Sequence, residues 1–152
     1  MSNVYSADNA AWGKKLDSLV QRLSGRDFER PAGGPGWTVG GLLAHLAFYD
    51  YRALVILKKW ETNAVGPSPL DVDVVNDALK PLFNAMAPDG IRRLVCEAAQ
   101  AIDAAIDAMD PGLLAQIEKV GTPVRLNRAA HRGHHLAQVE KALPGSTPGK
   151  TS

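Results

Sequence analysis

The stretch GWTVGGLLAHLAFYDYRALVILKKW, Gly36–Trp60, holds no proline and no alternating β-branched run. Thr38 suits a helix start, because its side-chain oxygen can accept from a backbone N–H of the first turn. The spacing predicts a helix from Thr38 to about Trp60. Within it, His45 falls mid-helix among leucines, alanines and aromatics.

Working outward, the same signals recur. Trp12, Leu16, Leu19, Val20 and Leu23 repeat at spacings of three and four, predicting a helix over about Asp8 to Leu23. Asp8 is the expected cap, with Gly25 following the end. GRDFERPAGGPG between these helices reads as a long loop, and AVGPSPL after the second as another. A shorter helix is expected over Val72 to Met86, disturbed at Pro81. Val72–Val75 is the nearest thing to a strand, but DVDVVNDALKPL continues more naturally as a helix. Pro88 and Asp89 open the next helix, whose stripe of Ile91, Leu94, Val95, Ala98, Ile102 and Ile106 ends near Met109. Asp110-Pro111-Gly112 breaks it, and a helical turn is expected around Leu113–Glu118. After Gly121-Thr122-Pro123, the last helix is expected over about Val124 to Leu143, followed by the polar tail PGSTPGKTS. The fold class is therefore all-α, four long helices forming a bundle with a short helix in a long connection. The long connections leave topologies other than simple up-down-up-down open.

Composition narrows the function. At 152 residues the chain fits one domain. A net charge of +1 provides no basic excess, which argues against nucleic acid as a partner. No uninterrupted apolar run of about 18 residues exists, so no membrane span is expected. The N-terminus lacks a basic segment followed by an apolar one, so no signal peptide is read. The single cysteine, Cys96, excludes an internal disulfide and fits a cytoplasmic, reducing compartment. Exposed apolar faces on so small a bundle are compatible with a homodimer.

All four histidines fall in two places: His45, and His131, His134 and His135 in HRGHHLAQVE. Residues 131 and 135 lie one turn apart on a helix, about 6 Å along the axis and about 40° around it. Two imidazoles so placed can chelate one divalent ion, with His45 from a facing helix as third ligand. Three neutral imidazoles suit Zn, Ni, Fe or Cu and leave a position open. Asn127, His131, His135, Gln138 and Ala142 follow one line on that helix, a row of ligand-capable groups beside the apolar face. His134 lies about 60° from His131 on the side away from His135, as a surface residue or a partner to the ligands. By spacing alone, the pair and the lone histidine read more readily as packing or surface residues than as ligands.

Two segments carry a family resemblance. GWTVGGLLAHLAFYD at Gly36–Asp50 and HRGHHLAQVEKAL at His131–Leu143 resemble the DinB-like superfamily, with its YfiT-like proteins and thiol-dependent maleylpyruvate isomerases. DVDVVNDALKPLF between them is similar to the mycothiol-associated branch. The resemblance implies a four-helix bundle with a non-standard connection over residues 1–143; it leaves out residues 144–152, whose polar, glycine- and proline-rich composition reads as a disordered tail. It also implies a metal held at the bundle mouth by His45, His131 and His135, with zinc or nickel first among the ions.

Three functions follow as expectations. The first is a metal- and thiol-dependent S-transferase or isomerase acting on a small-molecule substrate. Its thiol would be mycothiol or bacillithiol, and Arg52, Arg128 or Arg132 would hold a cofactor carboxylate. The second is a metal-dependent hydrolase, for which Asp50 and Glu140 are the nearest bases, each about 140° from the closest histidine around its helix. The third is a non-catalytic metal- or ligand-binding stress protein. Trp37, Phe48, Tyr49 and Tyr51 are read mainly as core residues, and Cys96 as a small hydrophobe on an apolar stripe.

Overall fold

A computed structural model describes residues 3–121 and 124–145. Its helices are α1 (Ser6–Arg22), α2 (Val39–Trp60), α3 (Val72–Asn84), α4 (Pro88–Asp107), α5 (Pro111–Val120) and α6 (Arg128–Ala142), with a 3-10 turn at Gly25–Glu29. Among the described residues the only extended pairing is an isolated bridge between Pro31 and Thr38. The chain is all-helical, as its periodicity requires.

Local chemistry sets most of the starts. Thr38 Oγ1 accepts from Gly41 N at 2.9 Å, as expected. Asp71, Asp110 and Asn127 cap α3, α5 and α6 in the same way, onto Val74, Leu113 and Ala130. Pro88 and Pro111 sit at the first positions of α4 and α5, where a missing N–H costs nothing. Pro81 falls late in α3, and the helix runs through it to Asn84.

Four helices form the bundle. α2 packs on α4 and α6, and α1 packs on the same two, so the consecutive helices α1 and α2 lie diagonally across the core. The segment from Leu23 to Thr38 makes that crossing. It is not the unstructured loop its glycines and prolines suggest. Ser24 and Asp27 form a reciprocal capping box, and Phe28 is buried. Arg92 of α4 donates to the Val20 and Leu23 carbonyls, tying the end of α1 down.

Asp8 does not cap α1. Tyr5 is the N-cap residue and makes no side-chain bond. The start is instead held by Ser6, whose hydroxyl donates to Asp107 at 2.6 Å, and by Asn3, which donates to the Ile106 carbonyl at 3.0 Å. One turn on, Asn9 is buried and works on a different helix. Its Oδ1 accepts from the Arg128 and Ala129 amides at 2.9 and 3.0 Å, and its Nδ2 donates to the Leu126 carbonyl at 2.9 Å. Asn9 and Asn127 together satisfy the first amides of α6, which therefore begins at Arg128 and not at Val124. Thr122 and Pro123, and residues 146–152 of the expected tail, lie outside the described residues.

Two apolar clusters fill the interior. One gathers Leu16, Leu19, Leu43, Leu46, Val95 and Val139. The other gathers Ile56, Leu57, Ile102, Ile106 and Ile117. α2 is long and apolar enough to cross a membrane by composition, but 67% of its most apolar window is buried inside the bundle. That is the pattern of a central core helix.

Candidate metal centre

Three residues beyond the first turn of α2, His45 faces α6, and His131 and His135 face it from one side of α6. One nitrogen from each ring lies within 4.8 Å of the others. His45 Nε2 and His131 Nε2 are 3.3 Å apart. Two nitrogens at about 2.1 Å from a tetrahedral ion lie about 3.4 Å apart, so the closest pair already has coordination spacing. The ring centroids are 4.7 Å apart for His45 and His135, and 4.8 Å for His131 and His135.

The donor chemistry suits a cation. His45 is 7% exposed, and the other two are half-buried. Burial lowers the His45 pKa to about 4, helped by the neighbouring His135 and His134. Burial likewise takes His131 to about 2, with His135, Arg128, His45 and His134 adding to it. His135 is lowered by burial too, against an opposing hydrogen bond to Gln138. All three rings are neutral at pH 7, the form that ligates. The His45 Nδ1 is buried without a hydrogen-bond partner. An orphaned polar atom in a core position is tolerated where the ring serves another purpose.

These shifts carry a pH signature. The unfolded chain takes up protons near 6.5, while the folded rings refuse them until about 4 for His45 and about 2 for His131. Metal-free stability is therefore flat above pH 7 and falls as pH drops below 6.5. Each ring contributes up to about 1.4 kcal/mol per pH unit. A thermal-melt series on metal-free protein from pH 8 to 5, above the carboxylate range, measures this. An unchanged Tm across that interval contradicts it.

His131 also belongs to a cleft of about 730 Å³ beside the triad. Pro67, Pro69, Leu70 and Val72 form its apolar wall. Arg52, Arg125 and Arg128 supply cationic groups, Tyr49 and His134 complete the side nearest the histidines, and among the described residues no carboxylate lines it. Tyr49 also packs on His45 with centroids 4.8 Å apart and donates to Asn76 at 2.8 Å. Trp37 meets His45 edge-on at 5.6 Å.

A family model described as mycothiol maleylpyruvate isomerase N-terminal domain matches residues 10–144. The chain belongs to that family. The match spans all three histidines, and the DinB-like resemblance of the two histidine segments agrees with it. Neither a curated protein nor a solved structure matches the chain.

Within this family member, the arginines expected at the mouth divide. Arg52 does line the cleft, and its Nη2 donates to the Ser68 carbonyl at 2.9 Å and the Ser68 hydroxyl at 3.3 Å. Arg128 forms part of the cleft wall, but its Nη2 is 2.8 Å from Asp50 and its side chain is 8% exposed. Arg132 is a correction. Its side chain is 1% exposed and held by Asp103 at 2.8 Å and Asp50 at 3.5 Å, so no cofactor reaches it. It does not line the cleft. A helical wheel places Arg128 and Arg132 on one face but does not say that Asp50 and Asp103 lie opposite. Arg125, by contrast, was expected inside the last helix; it precedes the Asn127 cap, is exposed and lines the cleft.

The remaining residues sort readily. Asp50 is buried under the two arginines, and Glu140 pairs with Arg22 at the surface at 3.1 Å, so neither carboxylate faces the triad. His134 is exposed, with its ring 4.8 Å from that of His135. Phe48, Tyr51 and Trp37 pack against the core, whereas Tyr49 reaches the cleft. Cys96 is half-buried, and burial with the adjacent Asp17 raises its thiol to about 11, which rules it out as a thiolate nucleophile at neutral pH.

Proposed function

We propose that the chain is a divalent-metal-binding protein acting as a metal- and thiol-dependent S-transferase or isomerase. The observation that carries this reading is the juxtaposition of the triad with the cleft: His131 belongs to both. His45, His131 and His135 would hold the ion, zinc or nickel. When bound, the ion keeps the thiol of a small cofactor, mycothiol or bacillithiol, as thiolate at neutral pH. The chain's own residues do the rest. The apolar wall of Pro67, Pro69 and Leu70 excludes water from an electrophilic substrate. Arg52 and Arg125 supply positive charge for a carboxylate, and Arg128 lends its field from the wall while committed to Asp50. Both acidic candidates are turned away from the triad, and among the described residues no carboxylate lines the cleft, which favours thiol chemistry over a hydrolase.

The test supplies zinc-loaded and chelator-stripped protein with a panel of low-molecular-weight thiols and an electrophile, and follows loss of free thiol. Zinc-dependent consumption at least tenfold above the background rate, with one thiol preferred, is the expected result. Metal uptake without thiol turnover for any member of the panel moves the assignment to a non-catalytic metal-binding protein.

A further inference from the structure

The three imidazoles are not held alike. His45 Nδ1 is buried and has no partner. His135 Nδ1, in contrast, lies 2.7 Å from Gln138 Oε1, three residues on along α6. We propose that Gln138 is a positioning residue that fixes His135 as its Nδ1–H tautomer, leaving the Nε2 lone pair free to face His45 and His131. The inference rests on the metal-centre reading above and assigns Gln138 a role beside the ligands, not among them.

The geometry requires the choice. A neutral imidazole has one N–H and one lone pair, and whichever nitrogen binds an outer partner as donor frees the other for an ion. An amide oxygen accepts only, so Nδ1 donates and Nε2 is left bare. The crossing segment comes close to the amide. Gly33, in the crossing segment before α2, sits so close that a Cβ there would lie 3.3 Å from Gln138 Oε1 and 2.8 Å from Leu42. With a φ of +75°, Gly33 occupies a conformation that side chains rarely adopt, and the lack of a Cβ lets the loop close over the amide. The crossing segment thus backs Gln138, and Gln138 backs His135.

His45 and His131 stand differently. Their Nε2 atoms face each other at 3.3 Å. In the metal-free chain one donates to the other, so one Nε2 proton must leave or move to Nδ1 before both can ligate. Whichever of the two accepts already presents a bare Nε2; His135 differs in that an outer partner, Gln138, holds its tautomer.

The experiment uses ¹⁵N-labelled metal-free protein at pH 8 and long-range ¹H–¹⁵N correlation of the imidazoles, together with zinc competition titrations. The wild type is expected to show His135 as Nδ1–H. Gln138→Leu shifts it toward Nε2–H and weakens zinc binding by about 10- to 100-fold. Gln138→Glu, still an acceptor, keeps Nδ1–H and wild-type affinity or better, which separates positioning from a fold that has simply loosened. A wild-type His135 protonated at Nε2 overturns the proposal, and so does zinc affinity that is equal in wild type and Gln138→Leu. In the latter case the metal reading survives. If the wild type takes up no zinc while the tautomer still switches in Gln138→Leu, the metal reading fails and the role of Gln138 as tautomer lock stands.

Discussion

His45→Ala is expected to abolish zinc retention while leaving the helical bundle intact. The substitution removes one of three nitrogens that lie within 4.8 Å of one another and leaves only the one-turn pair on α6. A three-imidazole site reduced to a two-imidazole chelate loses roughly 100-fold in affinity, and among the described residues no carboxylate joins the triad to take the vacated place. The fold loses little. The imidazole is 7% exposed and packs on Trp37 and Tyr49, so its loss leaves a small cavity, but it also removes the one buried Nδ1 that has no partner. These two effects oppose each other. His135→Ala should behave likewise for zinc. His134→Ala should retain the ion, since that ring is exposed and outside the triad. Elemental analysis of tag-free protein, chelator competition and far-UV circular dichroism measure all three variants. Zinc at full stoichiometry in His45→Ala would defeat the assignment of the triad.

The parts of this molecule that could be read from the sequence are those whose cause is local. Thr38 caps α2 because a hydroxyl three residues before an amide can reach it, whatever lies elsewhere in the chain. The pairing of His131 with His135 follows from the pitch of one helix, and only the arrival of His45 needed the fold. Most of the misreadings involve partners distant in sequence; the exception is the loop after α1, where the local Ser24–Asp27 capping box lay hidden among glycines and prolines. Asn9 caps a helix about 120 residues away, so nothing near position 9 announces it, and the start of α6 was placed four residues early. Arg128 and Arg132, spaced by four on the helix of the histidine pair, read from sequence as groups at the mouth for a cofactor carboxylate. Their counter-ions come from α2 and α4, and the pairing turns a charged face into a buried one. Periodicity gives the angle at which a side chain leaves its helix, but not what waits there.

That buried cluster makes the second strong prediction. Asp50→Asn is expected to destabilise the protein by about 3–5 kcal/mol. Asp50 is 1% exposed and accepts from Arg128 Nε at 2.9 Å and Nη2 at 2.8 Å, with Arg132 Nη2 at 3.5 Å. Arg132 keeps Asp103 and the Ala99 and Asn9 carbonyls if Asp50 is neutralised. Arg128 keeps only the Arg125 carbonyl, and its guanidinium stays largely buried at the cleft wall, its side chain 8% exposed, without a counter-ion. Typical total stability is about 5–15 kcal/mol, so the loss consumes a large share of it and lowers Tm by roughly 10 °C or more. The cause is the stranded cation and not the lost contact, which sets a second expectation. Asp50→Leu combined with Arg128→Met removes both charges and should recover most of the loss, because the attraction within a buried pair barely exceeds the penalty for drying it. The same clamp joins α2 to α6, the helices that carry the triad. Zinc binds only the folded chain in that geometry, so saturating zinc should raise the Tm of Asp50→Asn. Urea denaturation of the three proteins, with and without zinc, measures each of these. A loss below about 1 kcal/mol for Asp50→Asn would mean that water in the cleft solvates Arg128 freely, and the stranded-cation account of this pair would fail.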